Sequence, residues 1–236
     1  MSAPRSVVFL VPDGIDDDAR VSGGNVYDRR IRDGLRGRDW DLRMIPVATG
    51  DVASAAPDLA AALAFLPENS VVLVDGLLTL WGARPLETHA DRLHIVVLAH
   101  MPFAGLDFAE RVLTTSTWTR GRLLESRAAR EDRIVVAYPG TEIVPRPVRE
   151  PGASLLCVGP IAGHKGQDLV VDALVAVRDL DGWTCTFAGS TATEPGLVTP
   201  RKNERIQNVP RHTESPIWGR MRATRVSVSP HPLNSW

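Results

Sequence analysis

Along the first 195 residues, short apolar runs alternate with longer amphipathic stretches, and that alternation leaves few architectures open. Residues 6–11 form a continuous apolar run rich in valine that stops at Pro12, which reads as a strand buried on both faces. Val26, Tyr27, Ile31 and Leu35 then recur at helical spacing, predicting a helix from near Gly24 to around Gly37. Residues 42–47 read as the second strand, and the Ala- and Leu-rich stretch 57–66 as a helix stopped by Pro67. Strands follow at 71–75, 93–99, 112–115 and 134–137, with Thr117 capping a helix through about Ala129. Repeated strand–helix alternation predicts an α/β fold, a Rossmann-like parallel sheet with right-handed crossovers and helices on both faces.

Residues 141–152 carry Pro145, Pro147 and Pro151 and no periodicity, so they read as an interdomain linker. A fresh unit begins beyond them, with a strand at 155–158, a Gly-rich loop at 159–166, a helix at 167–180 and a strand at 183–188. The expected organisation is an N-terminal Rossmann-like domain over 1–140, the linker 141–152, a partial second Rossmann-like domain over 153–195, and an irregular tail over 196–236. The tail breaks from the body in composition: residues 1–195 carry a net charge of −6, whereas residues 196–236 carry +5, a single alanine (Ala223), no aspartate and five prolines. It lacks the aromatic interleaving of a single-strand binder, so no nucleic-acid partner is expected. No apolar run approaches the roughly 18 residues of a membrane span, and the N-terminal apolar stretch is too short for a signal peptide. Cys157 and Cys185 sit in strand-like runs and read as core residues rather than a disulfide. A soluble, cytoplasmic protein without a transmembrane segment is expected.

Two features invite a chemical reading. The loop from Gly159 to Gly166 is not a P-loop, because His164 separates Gly163 from Lys165 and no Ser or Thr follows the lysine. Nor does the chain spell the dinucleotide fingerprint, which argues against a nicotinamide dehydrogenase. Yet Lys165 is one of two lysines against 25 arginines. Such a compact cation before a helix suits a phosphate, or else is simply solvated. Asp16, Asp17 and Asp18 could suit a hard cation, but three consecutive side chains point in different directions, so no metal is expected. Asp75 and Glu142, both at strand ends, read as structural or cleft-lining groups rather than catalytic bases.

Several motifs taken in order carry a family resemblance: Ser22-Gly23-Gly24 with Tyr27 following, His100 after the fourth strand, the run Thr114-Thr115-Ser116-Thr117-Trp118-Thr119, Tyr138-Pro139-Gly140-Thr141-Glu142, and Cys157-Val158-Gly159 with His164-Lys165-Gly166. Together they resemble the family 4 (group 1) glycosyltransferases, whose GT-B fold sets two Rossmann-like domains across a cleft. The resemblance implies hexosyl transfer from a nucleoside diphosphate sugar to an acceptor hydroxyl, with no other cofactor and with the donor and a small-molecule or glycan acceptor as partners. It implies that Gly23 and Gly24 lie near the donor phosphates, where a side chain would block close approach. It implies His100 as the catalytic histidine beside the reacting sugar, and Lys165 with Gly166 at the nucleotide diphosphate, where a preorganised cation stabilises the leaving charge. The chain departs from the family at Pro160, where an arginine is usual, and in lacking the glutamate pair spaced E-x7-E: its tail glutamates, Glu204 and Glu214, are ten apart. The expectation is a truncated or frameshifted reading frame whose family-like sequence ends near Thr193, inactive as a transferase. The competing readings are a non-catalytic Rossmann-like binding module and another nucleotide-sugar enzyme of the same fold, such as an epimerase.

Overall fold

The structure is a computed structural model that describes residues 5–17, 22–49, 52–140, 153–160, 162–176 and 183–189. The chain divides into two compact units, one of residues 1–16 with 23–141 and the other of residues 17–22 with 142–236. The expected linker 141–152, the tail 196–236 and residues 177–180 of the last expected helix lie outside the described residues.

In the first unit, six strands form one sheet: β1 (Ser6–Pro12), β2 (Asp41–Val47), β3 (Val71–Asp75), β4 (His94–Ala99), β5 (Arg111–Thr114) and β6 (Ile134–Val136). Every neighbouring pair is parallel, and the spatial order is β2-β1-β3-β4-β5-β6. The helices are α1 (Gly23–Arg36), α2 (Val52–Ala64), α3 (Thr79–His89) and α4 (Thr117–Glu125). The chain first steps from β1 outward to β2, then returns across β1 and adds each later strand on the other side. At such a reversal the connections leave in opposite directions and open a crevice at the carboxyl ends of the strands. Here it falls between β1 and β3.

The apolar run of β1 explains the layering. Val7, Phe9 and Val11 face one way and pack with Tyr27, Ile31 and Leu35 of α1 and with Leu73 and Leu98. Leu10 faces the other way, into a larger cluster with Val72, Val74, Val97 and Ala99 and with Leu59, Leu63, Leu86 and Leu123 of α2, α3 and α4. A run without alternation is therefore right for this strand, since both of its faces are covered.

Three elements differ from the sequence expectation. Helix α2 opens at Val52 and runs through Pro57. A proline inside a helix removes one hydrogen bond, and the loss falls near the start of a helix anchored by buried Ala55, Leu59 and Leu63. Helix α3 had no sequence signal because Gly82 and Pro85 interrupt it. Gly82 leaves helical geometry (φ −144°, ψ 36°), so Pro85 falls in the first turn of the piece that follows, where no backbone donor is needed. Helix α4 is capped by Ser116, not Thr117: the Ser116 hydroxyl accepts from the Thr119 N–H at 3.0 Å. It ends at Glu125 instead of near Ala129, because Arg127 turns left-handed (φ 53°) and the Ala128 N–H closes on the Leu123 carbonyl at 2.9 Å.

Among the described residues the second unit holds β7 (Ala153–Val158), α5 (Gln167–Ala176) and β8 (Trp183–Ala188), with a 3₁₀ turn at Gly163–Lys165. Its two strands pair in parallel, Leu155 opposite Cys185 and Cys157 opposite Phe187. Both cysteines are free, Cys185 buried and Cys157 half-buried. Leu156, Val158 and Leu169 are exposed. Among the described residues no helix is long and apolar enough to cross a membrane.

At the carboxyl end of β3, Gly76 sits where a methyl group would meet the Phe103 ring and come within 2.7 Å of the Leu98 carbonyl. Gly76→Ala should therefore push β3 from β4 and cost about 1–3 kcal/mol in urea unfolding, the usual range for overpacking.

Candidate functional site

The buried stripe of α1 should be apolar at each helical repeat, yet an aspartate occupies one of its positions. Asp28 follows Tyr27 and lies one turn beyond Gly24. Its side chain is fully removed from solvent, as is that of Asp75 at the end of β3. Next to β3, strand β4 ends at Ala99 and delivers His100. The crevice between β1 and β3 thus receives one group from α1, one from β3 and one from the end of β4.

These three side chains touch. His100 Nε2 lies 2.9 Å from Asp28 Oδ1 and 3.8 Å from Asp75 Oδ2. The other Asp75 oxygen accepts the Leu77 N–H at 2.7 Å, capping the 3₁₀ turn that follows β3. Tyr27 packs edge-on to the His100 ring, centroids 5.3 Å apart, and its hydroxyl donates to the Ala137 carbonyl at 3.0 Å. The ring is therefore held by a carboxylate at its edge and an aromatic beside it, with its side chain 13% exposed.

Burial dominates the electrostatics. Removal from water pushes Asp28 up to about 6, opposed by its hydrogen bond with Asp75. Asp75 rises to about 7, first through burial and then through the charge of Asp28 and their mutual hydrogen bond. The same desolvation lowers the pKa of His100, opposed by Asp75, and raises that of Tyr27. A bond between two carboxyl groups needs a proton. Were both ionised, Asp28 Oδ2 and Asp75 Oδ2 would stand buried without a partner, and such orphaned acceptors cost about 1–3 kcal/mol each. Donor atoms of the three residues lie within 4.8 Å of one another, a spacing that a shared cation would also need. A proton on one of the carboxyls would supply the donor that two carboxylates lack.

The sequence-predicted residues fall into both units. Gly23 opens α1, exposed, with open space where a Cβ would stand, and Gly24 follows on the face that carries Asp28. His100 lies at the carboxyl edge of the sheet. Its ring is hydrogen-bonded to Asp28 and largely buried. Lys165 and Gly166 belong to the second unit: Lys165 is exposed, and Gly166 adopts a left-handed φ of 69° between the 3₁₀ turn and α5. Asp16 forms a two-oxygen pair with Arg32, at 2.7 and 3.0 Å, and so braces the loop after β1 against α1. Glu142 lies outside the described residues. Asp28 was missed altogether, although its place on the Tyr27–Ile31–Leu35 stripe was a signal.

No protein-family model matches the chain, and no curated protein matches it significantly. Among solved structures, a glycosyltransferase from Rickettsia africae ESF-5 aligns with a TM-score of 0.51 at 16% identity, covering 88% of this chain and 66% of that one. The lipopolysaccharide outer core galactosyltransferase WaaB, in its apo form, aligns with a TM-score of 0.45 at 17% identity, covering 86% and 66%. The chain thus spans just under two thirds of either structure's length. The first likeness shows a shared fold, an α/β architecture on a parallel Rossmann-like sheet.

The buried pair makes a signed prediction. A carboxyl whose folded pKa lies above the unfolded value of about 4 contributes fully below that value and loses its contribution as pH rises to the folded pKa, here about 7 for Asp75. An asparagine at this position keeps the neutral form at every pH. Asp75→Asn should therefore gain stability relative to the unsubstituted protein between pH 4.5 and 7.5, measured by urea unfolding at several pH values. A difference independent of pH would contradict the raised carboxyl.

Proposed function

We propose that the chain follows the plan of a nucleotide-sugar-dependent glycosyltransferase of GT-B type, moving a hexosyl group from a nucleoside diphosphate sugar to an acceptor hydroxyl. The first unit would serve the acceptor side and the second would carry part of the donor site, in a cytoplasmic protein. The observation that carries the reading is the position of His100: the histidine that the family resemblance puts beside the reacting sugar stands at the carboxyl edge of a doubly wound sheet, next to its reversal point. That edge is where such sheets take their ligands. The open space at Gly23 supports the same reading, since a donor phosphate approaching the start of α1 would meet no Cβ at that position.

Lys165 is then the cation for the diphosphate, with Gly166 letting the chain turn into α5 beside it. The reading requires that the chain bind a sugar nucleotide. Titrating it calorimetrically with uridine, guanosine and adenosine diphosphate sugars should find one that binds. Lys165→Ala should weaken that binding about 10- to 100-fold, the worth of one charge-assisted contact. If no sugar nucleotide binds, or if the substitution leaves affinity unchanged, the non-catalytic binding module becomes the better reading.

A further inference from the structure

We propose that Asp28 and Asp75 share a single proton and together hold His100 as a neutral ring protonated at Nε2, so that Nδ1 carries the lone pair offered to a substrate hydroxyl. The argument rests on counting donors in a closed space. Asp28 Oδ1 and His100 Nε2 are 2.9 Å apart, so one proton lies between them. Asp75 Oδ1 is already taken by the Leu77 N–H. Two buried oxygens remain, Asp28 Oδ2 and Asp75 Oδ2, and both are acceptors if both groups are ionised. A proton on Asp75 turns its Oδ2 into a donor towards the Asp28 carboxylate, the two groups having ligand atoms within 4.8 Å of one another. Asp28 then stays ionised and accepts from Asp75 on one oxygen and from the ring on the other.

The surroundings favour this assignment over its alternatives. The titratable groups facing the cluster are Tyr27 and Asp28 from α1, Asp75 from β3 and His100 after β4. Among the described residues no arginine or lysine lies within ion-pair distance of either aspartate, the ring of His100 being their one neighbour of that kind, so no fixed cation balances a second negative charge. Tyr27 cannot donate to the cluster while its hydroxyl is committed to the Ala137 carbonyl. The reverse tautomer, with the ring protonated at Nδ1, would need Asp28 to donate to Nε2 and would leave Asp75 as the lone ionised group, farther from the ring. Asp28 and Asp75 are thus positioning residues: they fix which ring nitrogen is basic. The substrate half of the proposal rests on the glycosyl-transfer reading; the protonation state of the ring does not.

The test uses the full chain without substrate, labelled with ¹⁵N-histidine and ¹³C-aspartate. Between pH 5 and 8 the ring should show the Nε2–H pattern, and one buried carboxyl should titrate, well above the ordinary range. Asp75→Asn should keep that ring pattern and abolish the carboxyl step, because its amide donates to Asp28 as the protonated acid does. Asp28→Asn should lower the ring pKa, since the remaining charge moves to Asp75, 3.8 Å from Nε2. If a variant fails to fold, the unsubstituted spectra decide alone. An Nδ1–H ring, two carboxylates ionised throughout, or a Mg²⁺ or Mn²⁺ addition that removes the carboxyl step and raises the melting temperature would each overturn the proposal. None of these outcomes depends on whether a sugar nucleotide binds.

Discussion

Two carboxyl groups without access to water lie where the sheet reverses direction, and the surrounding architecture is what makes them tolerable. An isolated buried carboxylate would cost several kcal/mol in desolvation. Asp28 and Asp75 escape much of that cost through each other, through His100 and through the Leu77 N–H. Each partner comes from a different element, so the bonds hold only while α1, β3 and β4 keep their places. The site is consequently also a joint of the fold.

The two faces of the sheet contribute unequally to this joint. The larger apolar cluster, built from α2, α3 and α4, sets the spacing of β3 and β4. The smaller one, under α1, decides how deeply Asp28 is pressed towards the strand ends. Arg32 bound to Asp16 and Arg29 bound to the Ile15 carbonyl at 2.8 Å tie α1 back to the loop after β1. Local polar contacts at the rim thus hold a helix whose inner face carries Asp28.

Much of the sheet was legible because buried parallel strands write themselves as continuous apolar runs. The strand residues 71–75 and 183–188 were read with the bounds the structure has. Helix α3 was not legible, since Gly82 and Pro85 erase its period and only packing against α2 restores it. His100 was legible as an edge residue from its place after Ala99. Its partners were not, because Asp28 and Asp75 are 47 positions apart in sequence and nothing local says they meet. Asp75 read as a structural or cleft-lining strand-end residue, and in the structure it caps Leu77; its contact with Asp28 is a property of the strand order alone.

That strand order also governs when the site comes into being. β3 lies between β1 and β4, although β2 is made before it, so the central slot closes only after the chain has crossed back over β1. Contacts of this kind span long stretches of chain and form slowly compared with local helices. Until β3 is seated, both aspartates are ordinary solvated acids, ionised at neutral pH. Burying both carboxyls favours uptake of a proton from the solvent, so forming this part of the sheet is also an acid–base reaction, and buffer pH sets part of its driving force.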